Sequence, residues 1–148
     1  MIAPCTAANT RGDTQFWQVG ADWTVSEQWT LAAEHLQGRS GMGLPGAARV
    51  DIDFDTTYLL ASWLWRPEWR ASLRAEQFRI VDRDGLLENN SDRGDGVTAS
   101  LFWLPNEHWR LGIEWQDLDS RHGASPLLGI NSDTGGDVVR AEVRYLFP

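Results

Sequence analysis

The chain has 148 residues, enough for one domain with a sizeable core, and a formal net charge of −8, which argues against a nucleic-acid-binding face. All thirteen basic residues are arginine, and the single cysteine, Cys5, allows neither an internal disulfide nor a cysteine metal cluster. No stretch approaches the roughly eighteen apolar residues of a membrane helix, but a mean hydropathy of −0.39 leaves membrane strands open, because these show lipid only every second side chain.

Along the chain the dominant period is two, in segments of about ten residues separated by turn residues. Residues 15–25 place Trp17, Val19, Ala21, Trp23 and Val25 on one side, against Gln18, Gly20, Asp22 and Thr24. Residues 29–37 continue the apolar side with Trp29, Leu31 and Ala33. Residues 55–65 form a third strand whose run from 58 to 65 is apolar on both parities, as at a bulge or a partly covered inner face. In residues 68–79, Trp69, Ala71, Leu73 and Ala75 alternate with Arg70, Ser72, Arg74 and Glu76. Residues 96–104 set Val97, Ala99, Leu101 and Trp103 against Thr98, Ser100, Phe102 and Leu104. Residues 109–118 set Trp109, Leu111, Ile113 and Trp115 against Arg110, Gly112, Glu114 and Gln116. The last strand, 138–147, separates Val139, Ala141, Val143, Tyr145 and Phe147 from Arg140, Glu142 and Arg144.

An internal repeat underlies this pattern. Trp29, Trp69 and Trp109 recur every forty residues, each opening a strand after a short break, "SEQ", "RPE" or "PNEH". The intervening connections "QGRSGMGLPGAAR", "VDRDGLLENNSDRGDG" and "DSRHGASPLLGINSDTGGD" are longer and rich in Gly, Asp, Asn and Ser. Short turns and long loops therefore collect at opposite rims of an antiparallel meander.

Alternation alone does not say which face meets water, since a soluble barrel also alternates. Three features favour an inside-out arrangement. The apolar parities carry no charge over about a bilayer's width, where Arg or Lys would cost about 2 to 4 kcal/mol at the midplane. Tryptophans sit at strand ends, as in an interfacial girdle. One rim has tight turns and the other long polar loops.

Over residues 14–147 the chain resembles the C-terminal part of a bacterial outer-membrane β-barrel of the porin type. The resemblance rests on the terminal "VVRAEVRYLF", with Tyr145 and Phe147 on the apolar parity, and on the strand, short turn, Trp-Arg strand pattern at 63–76 and 103–116. Phosphate-selective and hypothetical porins with "WRLG"-like strands are the nearest kind. The sequence departs from the family by ending on Pro148 rather than on an aromatic residue. The resemblance implies an all-β, antiparallel, up-and-down transmembrane β-barrel in the outer membrane. It also implies contact with lipid and lipopolysaccharide and recognition of the C-terminal strand by the barrel-insertion machinery. Association of such barrels into homo-oligomers is compatible with it.

Seven strands are counted, whereas bacterial single-chain barrels have even numbers. With the C-terminus in the periplasm, residues 1–13 become the remnant of an external loop. Met1 is followed by no export signal, and "IAPC" has only Met1 before it, so Cys5 reads as incidental. The expectation is one incomplete barrel domain, a gene fragment lacking its N-terminal strands. The alternative is an eight-stranded barrel that uses residues 1–13 as a poor extra strand.

Function is read from the two faces. Arg70, Arg74, Arg110, Arg140 and Arg144 are expected to line a water-filled lumen beside Glu34, Glu76, Glu114 and Glu142. Trp17, Trp23, Trp29, Trp69, Trp103, Trp109, Trp115, Tyr145 and Phe147 are expected to form the aromatic girdle. The corresponding function is passive diffusion of small hydrophilic solutes, with arginine favouring anions. The alternatives are a non-transporting barrel in structure, adhesion or capsule assembly, and a soluble Trp-rich barrel binding a small ligand. No catalytic, cofactor or metal site is assigned. His35, His108 and His122 lack metal spacing, and His108 is expected to cap a turn. Asp119, Ser120 and His122 are too close in sequence for a triad. Asp51, Asp53 and Asp55 on one strand side read as solvated carboxylates. The "DRDGLLENNSDRGDG" segment reads as an acidic outer loop rather than a calcium or lipopolysaccharide bridge, and both "RGD" triplets, 11–13 and 93–95, as chance.

Overall fold

Each segment of two-residue period becomes a strand, and each strand pairs with its neighbours in sequence. The computed structural model describes residues 12–44 and 48–147. Its strands are β1 (Asp13–Thr24), β2 (Trp29–Leu44), β3 (Ala48–Arg66), β4 (Trp69–Asp82), β5 (Asp92–Trp103), β6 (Trp109–His122) and β7 (Asp133–Tyr145). They make one antiparallel sheet in the order β1 to β7. β1 and β7 are not paired with each other, so this all-β, up-and-down sheet is open, as an incomplete barrel would be. Residues 1–11, with Cys5 and the first "RGD" arginine, and the terminal Pro148 lie outside the described residues.

At the short-turn rim the strand ends fall within two residues of those expected, and Trp29, Trp69 and Trp109 open β2, β4 and β6. The last strand ends at Tyr145 rather than Phe147. At the opposite rim all seven strands run further than the apolar alternation implies, because polar cross-strand pairs carry the ladder onward. Thr14 bonds Ser40 at 2.8 Å, Arg39 bonds Asp53 at 2.9 Å, and Ser120 bonds Thr134 at 2.9 Å. The expected long loop "QGRSGMGLPGAAR" is the largest correction. β2 and β3 pair as far as Leu44 and Ala48, past the last β1 partner at Gly41 and the last β4 partner at Ile52. Their end is a two-stranded ribbon, with Gly43 in the left-handed region at φ 99° where a side chain would be strained.

The β4–β5 loop is held by its own acidic and amide side chains. The Asp82 carboxylate accepts the N–H groups of Asp84 (3.0 Å) and Asn90 (2.7 Å), and Asp84 accepts that of Leu86 at 2.8 Å. These are the local turns that Asp and Asn favour. The β6–β7 loop contains an unexpected 3-10 turn, Ser125–Leu128, closed by Gly129 at φ 71°.

No dry centre forms. Ala124 is the one buried hydrophobic residue among the described residues, and no large side chain there is fully buried. The sheet is nevertheless two-sided. On β4, β5 and β6 the parity of Leu73, Ala75, Val97, Ile113 and Trp115 is exposed, while that of Arg74, Glu76, Ser100 and Glu114 is half-buried. This is the pattern of a sheet curled with its charged face inward.

That inner face is levelled by a repeated device. Phe16 and Phe54 flank Gly38, Phe78 stands opposite Gly94, and Phe102 stands opposite Gly112. A Cβ at Gly38 would come within 2.7 Å of the Phe54 ring, and one at Gly94 within 2.6 Å of Phe78. The rings of Phe54, Phe78 and Phe102 thus sit over the glycines and cover their backbone, which stabilises the strands. Gly112→Val drives Phe102 off this seat. Overpacking of this kind costs about 1 to 3 kcal/mol. The urea midpoint of the refolded Gly112→Val chain is expected to fall accordingly, and the added change Phe102→Ala to recover part of the loss.

Candidate pore-lining face and aromatic girdle

Register decides which side chains meet. On the inner face, Arg110 and Arg144 are direct cross-strand partners, a like-charge pairing that is unfavourable by itself. Glu142 resolves it by standing between them, 3.3 Å from Arg110 Nε and 3.4 Å from Arg144 Nε. Arg110 and Glu142 form an ion pair not aligned as a hydrogen bond, and both facing atoms lack any hydrogen-bond partner. Arg140 bonds Glu114 and Gln116, each at 3.0 Å. On β4, Arg74 pairs with Glu76 and lies over the Tyr58 ring, 4.5 Å from its centre. Arg110 covers Phe102 in the same way at 4.1 Å.

Seven of the nine expected lining residues thus fall into two clusters, one on β4 and one across β6 and β7. Between them β5 presents Gly94, Gly96, Thr98 and Ser100, small and uncharged. Arg70 joins neither cluster. It forms no ion pair among the described residues and borders an inner recess of about 380 Å³ with Ser62, Ser72 and Leu64. Glu34 is likewise unpaired among the described residues. Nearer the long-loop rim the inner parity turns acidic with Asp82 and Asp92.

On the outer face the aromatic residues form a ladder along the short-turn rim. Trp29 stacks on Trp63 at 5.6 Å, Trp63 meets Trp65 at 5.6 Å, and Trp65 stacks on Trp69 at 5.6 Å. Trp69 then stacks on Trp103 at 5.9 Å. Trp109, Tyr145 and Phe147 continue it across β6 and β7, with centroids 4.8 and 4.9 Å apart. Trp23 stands one row away, opposite Leu31. Trp17, beside His35 at 5.1 Å, and Trp115 stand six residues further along their strands, at the other border of the apolar belt.

Trp63 and Trp65 were not among the expected girdle residues. They share the outer face by ordinary alternation, and the register slip between Leu64 and Arg66 leaves Trp65 without a β4 partner, its ring stacked on Trp69. The doubly apolar run is in regular register up to Leu64, its other parity supplying Tyr58, Leu60 and Leu64 to the inner face, so a partly covered inner face accounts for it and the bulge comes after it.

The histidines are placed separately. His35 bonds Thr57 at 2.7 Å on the outer face, and His122 lies 3.6 Å from Asp92 on the inner one. Asn106, not His108, caps the β5–β6 turn, accepting the N–H groups of His108 and Trp109, while the His108 ring holds the Leu146 carbonyl at 3.2 Å. Ser120 and His122 share the inner parity, but Asp119 faces outward. Asp53, expected to be merely solvated, is held by Arg39 at 2.9 Å and Arg83 at 2.7 Å.

No protein-family model matches this chain, and neither a curated protein nor a solved structure does.

The Glu142 pairing gives a direct test. Exposed ion pairs contribute about 0 to 1 kcal/mol each, but loss of Glu142 also leaves two arginines face to face. Glu142→Gln is expected to lower the urea midpoint and Arg110→Gln to restore most of it, so that the double-mutant cycle gives a coupling of about 1 kcal/mol.

Proposed function

We propose that this chain forms the wall of a porin-like channel in the bacterial outer membrane, open to passive diffusion of small hydrophilic solutes. The observation that carries this reading is the outward band, largely apolar, free of Asp, Glu and Arg on β4, β5 and β6, and edged by the aromatic ladder. Its charge-free stretch runs from Trp109 to Asp117 on β6, from Trp103 to Asp95 on β5, and from Trp69 to Arg79 on β4. At about 3.3 Å per residue these steps span about 26 to 33 Å along the strand. With the tilt of about 40° usual in such barrels, the height is about 20 to 25 Å, which suits the outer membrane.

The stacked indoles place their apolar rings in the acyl zone with their N–H groups at the headgroups. The inner face stays wet, so its ion pairs shape an aqueous path. Arg70, which forms no ion pair among the described residues, and Arg110 and Arg144, sharing one glutamate, make the turn-side half of that path attract anions. Tyr145, which ends the last strand, and Phe147 just after it supply aromatic residues near the position that barrel-insertion machinery recognises in this kind of protein. Lipid and lipopolysaccharide are then the partners of the outer face.

Two neighbouring substitutions test the orientation. Leu73→Arg on the outer face is expected to block insertion into lipid vesicles, because arginine near the midplane costs about 2 to 4 kcal/mol. Ser100→Arg, on the inner face opposite Glu114, is expected to insert normally. A soluble protein would tolerate Leu73→Arg on this exposed face. Recovery of folded chain from the soluble fraction, or equal insertion of both variants, overturns the membrane reading. In planar bilayers under a salt gradient, the reversal potential is expected to show anion preference that Arg70→Gln reduces, and equal permeability for both ions discards the anion claim alone.

A further inference from the structure

One charged row has no use in the wall or the lumen. Arg79 on β4, Arg93 on β5 and Arg121 on β6 are direct partners in the sheet, Arg79 opposite Arg93 and Arg93 opposite Arg121. Directly opposed side chains stand about 5 Å apart at Cβ, where like charges repel. All three residues are exposed and all three lie on the outward parity. The row is the one just beyond the apolar belt on β4, and two residues beyond Asp95 and Asp119 on β5 and β6. Asp133 draws on Arg121 at 3.5 Å, but Arg79 and Arg93 form no ion pair among the described residues. Elsewhere the same face neutralises its arginines closely, as Arg39 and Arg83 on Asp53 show. The three guanidiniums border a shallow recess of about 570 Å³ with Asp55, Asp95, Asp119 and Asp133 around it, Asp55 directly opposite Arg79 and Asp133 directly opposite Arg121.

We infer that this row binds the phosphate of a lipid headgroup. The inference rests on the membrane orientation proposed above, which brings the row to headgroup depth on the long-loop side. Three guanidiniums in register offer parallel N–H pairs, the geometry that grips a phosphate through two oxygens at once. A doubly charged phosphomonoester would relieve the repulsion that the register imposes. Four carboxylates against three guanidiniums leave the recess without a positive field, so recognition comes from the guanidinium forks alone. A lipid phosphate fits better than a free one, because on β4 the row follows the uncharged outward stretch directly and the acyl chains of the same molecule would lie along that strand, clear of Asp95 and Asp119 on β5 and β6.

The test uses the full chain inserted into phosphatidylcholine vesicles with and without phosphatidic acid, a lipid phosphomonoester. Lipid retained on the extracted protein is read by native mass spectrometry. The wild-type chain is expected to retain phosphatidic acid selectively. Arg93→Gln weakens retention severalfold, and the triple change of Arg79, Arg93 and Arg121 to Gln weakens it at least tenfold. Arg66→Gln, at the opposite rim, leaves it unchanged. Heat-modified gel mobility confirms that each variant is folded, and a triple change to Lys, which keeps the charge but not the forks, is expected to lie between.

Failure of the wild-type chain to insert overturns the membrane reading and this proposal with it. Insertion without selective retention overturns the proposal alone. Displacement of the lipid by equimolar inorganic phosphate overturns the lipid assignment. Retention that survives in the triple variant and disappears with EDTA assigns the lipid to a cation on Asp95 and Asp119 and equally overturns it.

Discussion

Antiparallel register is the constraint on which everything else in this chain depends. Side chains alternate faces with a period of two, so a slip of one residue between any two strands would carry indoles to the inner face and guanidiniums to the outer one. The pairing runs without interruption across the sheet except at one place, between Leu64 and Arg66. There the extra residue is Trp65, which has no β4 partner, and the slip falls at the strand end, after Trp63 and Leu64 have kept their outward and inward sides. The separation of chemistry is therefore a property of the hydrogen-bond ladder, and the side chains reinforce it. Stacked indoles on one rim and shared glutamates on the other face would both be lost in a shifted register.

The lack of a buried centre follows from the same arrangement. A soluble domain of this size would turn its Leu, Val and Trp parity inward and close-pack it. Here Leu59, Leu73 and Val143 are more than half exposed, and the contacts that stiffen the sheet lie along its surfaces. Phenylalanine over glycine plays on the inner face the part that stacked tryptophan plays on the outer one. Each broad ring binds adjacent strands together without needing a second layer of protein.

Much of the fold was legible because its signals are local. The recurrence of Trp29, Trp69 and Trp109 after short breaks marks three strand starts, and the parity of Arg and Glu marks the inner face. The outer ends of the strands were not legible. Beyond the belt, residues such as Gly38, Arg39 and Ser40 carry no apolar alternation, and pair only because Asp53 and Phe54 meet them from β3. The indoles of Trp63 and Trp65 were hidden because their run is apolar on both parities, so alternation does not say which parity faces outward. Which charges meet was equally out of reach. Glu142 serves both Arg110 and Arg144, and three arginines share one row, only through the register of strands joined by connections whose paired length the sequence does not reveal.

The open edges carry a consequence of direction. In an up-and-down sheet successive strands reverse, so β1 and β7, the first and seventh, point the same way. Bent round to meet, they would join as a parallel seam. An antiparallel seam on both sides therefore requires an odd number of intervening strands. A second copy set alongside by rotation about the barrel axis also meets β7 with a co-directional β1, so pairing two such sheets repeats the mismatch at both joins. Arithmetic of this kind selects the partner of the exposed ladders more strictly than their side chains do.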